Sequence, residues 1–187
     1  MTQLPISMKL KPIKIEDCPQ FFTATILDWK RLLKPEKYKL IIIDSLHYLT
    51  SEKRVILFGY VIMDNHLHLI WKPTKRFSLK HTQLCFLKFV SQRIKRDLEV
   101  NNPNGLNEFY VNLKDRKYQF WQRNSLGIEL YSNNILEQKL NYIHKNPVKA
   151  RICLNAESYR FSSAGFYQGM KDEFEFLTDY RLWLWLD

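Results

Sequence analysis

Two stretches carry residue types that can do chemistry. In MDNHLHLIW, Met63 to Trp71, the histidines His66 and His68 flank a single leucine. Successive side chains of a strand point to opposite faces, so both imidazoles share one face while Leu67, Leu69 and Trp71 line the other. In LNYIHKNPVKAR, Leu140 to Arg151, Tyr142 and Asn146 are four residues apart, and on a helix that spacing stacks a phenol oxygen and an amide oxygen on one face. The paired imidazoles suit three arrangements. They can belong to a half-exposed sheet face. A structural zinc site needs four ligands, and no third and fourth Cys or His lies nearby in sequence. An open site for a hard divalent ion needs one oxygen donor more and leaves positions for a phosphate. For the second stretch the choice is between a tyrosine nucleophile beside an ion ligand and a core tyrosine followed by an asparagine that caps the helix before Pro147. His144 points away from Tyr142 and is left out of either site.

The elements that must position these groups are legible as periodicities. Gln20 to Leu27 alternates as a first strand, Pro35 to Leu49 has helical spacing, and Arg54 to Met63 is apolar on both faces, as a central strand is. Asp64-Asn65 then reads as a two-residue hairpin turn whose side chains tolerate positive φ, so the histidines open the returning strand, His66 to Lys72. A second helix is predicted from Ser78, as N-cap, to Leu98, with Leu87, Val90, Ile94 and Leu98 as its apolar stripe. Asn101 to Asn107 reads as a loop, Tyr118 to Trp121 as a short strand, and Asn134 to Lys145 as a helix stopped near Pro147. This order predicts an α+β fold: an antiparallel sheet of the split βαβ kind with helices packed on it.

The chain's 187 residues, 45% of them hydrophobic, fit one domain with a proper core. The expected division is a catalytic domain over residues 1–167 and an acidic, aromatic C-terminal extension over residues 168–187. No run is long and apolar enough for a membrane span, and the N-terminus MTQLPISMKLK lacks a secretory signal's apolar core. Cys18, Cys85 and Cys153 are odd in number and far apart, which suits reduced thiols and a cytoplasmic location. The net charge is +10, and between Lys72 and Arg96 there are eight basic residues (Lys72, Lys75, Arg76, Lys80, Lys88, Arg93, Lys95, Arg96) and no carboxylate. Such a surface draws a polyanion by its field and by counterion release, or serves as a solvated face. The tail from Asp172 to Asp187 has five acidic groups and the aromatics Phe174, Phe176, Tyr180, Trp183 and Trp185, and its opposite charge suggests that it folds over the basic surface.

His66-Leu67-His68 after a hairpin, then FWQR (Phe120 to Arg123), YIHKNPVKAR (Tyr142 to Arg151) and YRFSSAGFY (Tyr159 to Tyr167), in this order, resemble the REP-associated tyrosine transposases, within the single-tyrosine HUH endonucleases. The likeness spans roughly Phe21 to Tyr167. It implies a ferredoxin-like core, with His66 and His68 as metal ligands, Asn146 as the third and Tyr142 as the nucleophile. It further implies Mg2+ or Mn2+ as cofactor and single-stranded DNA with imperfect hairpins as partner, cut to leave a 5′-phosphotyrosine and a free 3′-OH. Nucleoid association in the cytoplasm follows, and relatives include both monomers and homodimers. The basic residues above, with Arg123 and Lys149, become candidates for the DNA backbone, and Trp71, Phe77, Phe120 and Trp121 for stacking on unpaired bases. The chain departs from the pattern at Met63-Asp64-Asn65-His66, where a proline usually precedes the asparagine, and between Arg123 and Asn134. Two other classes fit the same residues: a domesticated relative that binds structured DNA without cutting it, and a metal hydrolase that uses water and has no need of Tyr142.

Overall fold

The computed structural model describes residues 18–123 and 125–182, so the N-terminal segment and Trp183 and Trp185 of the tail lie outside the described residues. Its elements are β1 (Gln20–Thr25), α1 (Glu36–Ser51), β2 (Val55–Ile62), β3 (His66–Pro73), α2 (Leu79–Asn101), α3 (Pro103–Asn107), β4 (Tyr110–Leu113), β5 (Arg116–Tyr118), β6 (Leu126–Glu129), α4 (Asn133–Lys149) and α5 (Ala164–Tyr167). Four strands form one sheet in the order β2-β3-β1-β6, every neighbouring pair antiparallel. Helix α1 links β1 to β2 with β3 inserted between them, and α2 lies on the path from β3 to β6 with β1 inserted between those. Two interleaved split βαβ units are the ferredoxin-like arrangement expected from the sequence.

The sheet is buried on both faces. Phe22, Ala24, Leu67, Leu69 and Trp71 pack in one core with Ile42 and Leu46 of α1 and Phe86, Val90, Ile94 and Leu98 of α2. On the reverse face Phe21, Phe58, Val61 and Ile70 pack against Leu136, Leu140 and Ile143 of α4. The position that lets α4 lie so close is Gly59. The β2–β3 register slips between Leu57 and Gly59, a bulge, and a Cβ on Gly59 would stand 2.4 Å from Leu140 Cδ1 and 3.3 Å from Ser163 Oγ.

Several expectations are corrected. The Asp64-Asn65 turn closes with Met63 N–H donating to His66 O at 2.8 Å, but neither turn residue has positive φ. Tertiary bonds hold it instead: Leu33 N–H donates to Asp64 O and Ile26 N–H to Asn65 O, both at 2.8 Å. The region read as a loop contains α3, with Pro103 in its first turn and the Asn102 side chain accepting from Gly105 N–H at 3.0 Å. The fourth strand of the main sheet is β6, not Tyr118 to Trp121, of which Tyr118 ends β5 and Trp121 only bridges Ile26. Helix α4 runs through Pro147 to Lys149. Proline costs it the bond to Ile143 O, yet the last turn still closes through Ala150 N–H to Asn146 O and Ile152 N–H to Pro147 O, both 2.9 Å.

The described part of the tail does not cover α2. Thr178 N–H donates to Leu57 O at 2.9 Å and Leu177 bridges Leu57, so the segment lies along the edge strand β2. Phe176 is buried against Tyr60, Glu173 pairs with Arg160 at 2.5 Å and Asp179 with Arg181 at 2.6 Å. It protects a sheet edge.

The Gly59→Ala substitution is expected to cost about 1–3 kcal/mol in urea unfolding, because its methyl group must push Leu140 and α4 outward. Combined with Leu140→Ala, the loss should be smaller than the sum of the two single losses.

Candidate active site

Cross-strand register does the first positioning. His68 lies opposite Thr23 and His66 opposite Thr25 on β1, on the sheet face that carries α4. Thr23 Oγ1 is 2.7 Å from His68 Nδ1, and Asn65 Oδ1 is 2.7 Å from His66 Nδ1. Each hydrogen bond engages the inner ring nitrogen and leaves Nε2 as the free donor atom. The two rings stand 4.9 Å apart, edge to face. Burial lowers the affinity of both for protons. His68 is pushed down to about 3 by burial, with the nearby His66 and the Lys139 ammonium adding to it, and His66 moves in the same direction through burial. Both imidazoles are therefore neutral near pH 7, as a metal ligand must be.

Helix α4 supplies the rest. Its buried stripe is Leu136, Leu140, Ile143, His144 and Pro147, so Tyr142 and Asn146 lie off the core. The Tyr142 ring meets His68 at 5.5 Å and Phe21 at 6.1 Å, yet the residue stays 44% exposed. Lys139 Nζ is 5.9 Å and Lys149 Nζ 5.7 Å from its ring. Two ammonium groups thus flank a reachable phenol. His144 points away, as read from the sequence: its Nε2 is 2.8 Å from Ser163 Oγ, beneath Tyr167.

The donor set expected for an ion is the imidazoles of His66 and His68 and the amide of Asn146. Among the described residues no three His, Cys, Asp or Glu side chains cluster to hold a metal, and the one acid at the turn, Asp64, is taken. Lys39 holds its carboxylate at 2.9 Å and Arg31 at 2.6 Å. Burial opposes the Asp64 charge, but the bonds from Lys39 and Arg31 outweigh it and keep the carboxyl below its usual range. Asn146 is the third ligand that the resemblance implies. Its Nδ2 is buried without a hydrogen-bond partner, and turning the amide over puts a carbonyl oxygen, a hard-ion donor, in that position.

The DNA-contact candidates fall into separate places. Lys149 lies at Tyr142. Lys80, Lys88, Lys95 and Arg123 line a groove of about 1020 Å³ between α2 and the β4–β5 hairpin, where they are joined by Arg116 and Lys117. Lys72, Lys75 and Arg76 lie at the end of β3 and in the turn before α2, while Arg93 and Arg96 are exposed on α2 outside that groove. Because α2 packs on the sheet face opposite α4, the basic helix is not beside Tyr142. Three stacking candidates are corrected: Trp71, Phe120 and Trp121 are buried core residues, and Phe77 is partly covered by Arg54. Lys139 and Thr23 were missed. Lys139, one helical turn before Tyr142, had a sequence signal; the pairing of Thr23 with His68 had none before the register was known.

Neither a family model nor a curated protein sequence matches the chain. Among solved structures it resembles that of a REP-associated tyrosine transposase bound to a REP hairpin, with TM-score 0.59 and 15% identity over 92% of this chain and 93% of that one. A protein from Deinococcus radiodurans R1 provisionally described as a transposase aligns at TM-score 0.43 and 15% identity, over 74% of this chain and 97% of that one.

The buried histidines predict how stability responds to acid. The unfolded chain takes up protons near pH 6.5, while folded His68 and His144 do so only near 3 and 4. The unfolded state therefore binds more protons between those limits, and stability falls as pH drops through that window. Urea unfolding at pH 5 should show each of the two forfeiting about 2 kcal/mol relative to pH 8, with His144→Gln flattening the profile. With these comparisons, the chain is shown to share the fold of the REP-associated tyrosine transposase.

Proposed function

We propose that the protein nicks single-stranded DNA at hairpin-bearing sites and transfers the cut strand through a covalent tyrosine intermediate. The observation that carries this reading is the meeting of an exposed phenol, Tyr142, with His68, whose ring stands against that of His66, both imidazoles bonded through Nδ1. The solved transposase of the same fold, caught on a REP hairpin, supports DNA of that kind as the substrate.

His66, His68 and Asn146 would hold Mg2+ or Mn2+, which supplies charge neutralisation at the scissile phosphate. Lys139 and Lys149 draw the same phosphate toward the phenol. Tyr142 Oη attacks phosphorus as its proton passes to solvent base. The P–O3′ bond breaks, so the upstream fragment leaves with a free 3′-OH and the downstream fragment stays on the enzyme as a 5′-phosphotyrosine. A DNA 3′-OH from a new partner later attacks the phosphotyrosine and releases the phenol. The groove between α2 and the β4–β5 hairpin offers a second contact surface, in which Lys80, Lys88, Lys95, Arg116, Lys117 and Arg123 engage backbone phosphates. It acts in the cytoplasm on chromosomal DNA, as a monomer or homodimer.

A labelled hairpin oligonucleotide with single-stranded flanks, run on a denaturing gel, tests the assignment. The parent should nick it only with Mg2+ or Mn2+ present. His66→Ala, His68→Ala and Tyr142→Phe should each abolish the nick, because the first two remove a donor and the third only an oxygen from an exposed ring. Asn146→Ala should be milder and recover as metal is raised. Full nicking by Tyr142→Phe would point to an activated water in place of the phenol, and a parent that binds without nicking would be a DNA-binding protein.

A further inference from the structure

The segment joining β1 to α1 presents a feature that the proposed reaction leaves unused. Asp28 and Trp29 are successive non-glycine residues with φ of 54° and 57°, a left-handed conformation that L-residues avoid. The strain does not serve to bury the indole: Trp29 is 58% exposed. It places the ring beside the histidine pair, 5.8 Å from His66 and edge to face with it. Such a contact occupies at most one face of the indole and leaves the other open to solvent.

One side chain fixes this relation. Asn65 holds His66 Nδ1 with Oδ1 at 2.7 Å and the Trp29 carbonyl with Nδ2 at 3.3 Å. The backbone is pinned at the same place, by Trp29 N–H to Ile26 O at 3.0 Å and Ile26 N–H to Asn65 O at 2.8 Å. The Trp29 backbone is therefore held at a set position beside the imidazole that would face the scissile phosphate. An exposed aromatic face beside a site that holds a DNA strand is what an unpaired nucleobase stacks on.

We propose that Trp29 is the stacking platform for one unpaired base of the strand held at the histidine pair, an inference that rests on the reading of this site as a single-strand DNA site. The occupant is a base of single-stranded DNA, and the contact is independent of any bound ion. Trp29 thus takes the place of the buried Trp71, Phe120 and Trp121, whose rings have no face for a base.

The test is fluorescence anisotropy of the full chain with a labelled single-stranded oligonucleotide and with a blunt duplex, both in EDTA so that metal binding is not read. Trp29→Ala should weaken the single strand roughly tenfold and leave the duplex unchanged, while Trp29→Phe, which keeps a stacking ring, should stay within about threefold of the parent. Unchanged single-strand affinity in Trp29→Ala would overturn the proposal. So would an equal loss on the duplex or an equal loss in Trp29→Phe, since both mark a ring needed only for local structure. The outcome is separable from the catalytic reading: a parent that nicks, with Trp29→Ala binding normally, refutes the platform alone, whereas the expected binding pattern in a protein that never nicks refutes the nuclease alone.

Discussion

The site depends on how near α4 can come to the sheet. Residue 59 has no side chain, and the bulge beside it puts both Phe58 and Gly59 toward the helix. Leu140 Cδ1 fills the space a Cβ would claim. Tyr142 is two residues from Leu140 on the same helix, so an outward shift of α4 moves the phenol off His68. The histidines are in turn held by β1 and the segment after it: His68 through Thr23, and the turn before His66 through Ile26 and Leu33. Backbone pairing and the absence of one methyl group thus set the distance between a phenol and two imidazoles.

Electrostatics make that distance useful. Burial holds both histidines neutral, at a cost in stability that grows in acid. Tyr142 remains half open to solvent, where a long polymer can reach it. Lys139 and Lys149 carry positive charge to its ring, and Lys139 also sits over Phe21. Asp64, at the turn before His66, is neutralised by Lys39 and Arg31. A polyanion approaching Tyr142 therefore meets a cationic rim.

Much of this was legible in the sequence because it is periodic. Alternation gave His66 and His68 a common face, and four-residue spacing placed Tyr142 and Asn146 together; the structure agrees on both elements. Features resting on tertiary partners were not legible. The sequence of β6, LGIE, alternates Leu126 and Ile128 with Gly127 and Glu129, but four residues with a glycine among them are too short a signal to call a strand before its pairing with β1 is known. The β4–β5 hairpin is mostly exposed, so burial left no pattern in it. Trp71 and Trp29 carry the same ring, but Trp71 sits on the strand face under α2 and Trp29 on a left-handed turn, which composition does not distinguish. Pro147 reads as a stop, yet a buried proline two residues from a helix end removes just one hydrogen bond.

The central claim is that the phenol of Tyr142 becomes bonded to the 5′ phosphate of the cut strand. The most direct measurement is peptide mapping by mass spectrometry after incubation with a hairpin oligonucleotide carrying a 3′-bridging phosphorothiolate at the cut position, which traps the covalent product. The account predicts a nucleotide mass on the peptide containing Tyr142, formed only with Mg2+ or Mn2+. Nicked DNA with a free 5′ phosphate and no modified peptide would contradict it.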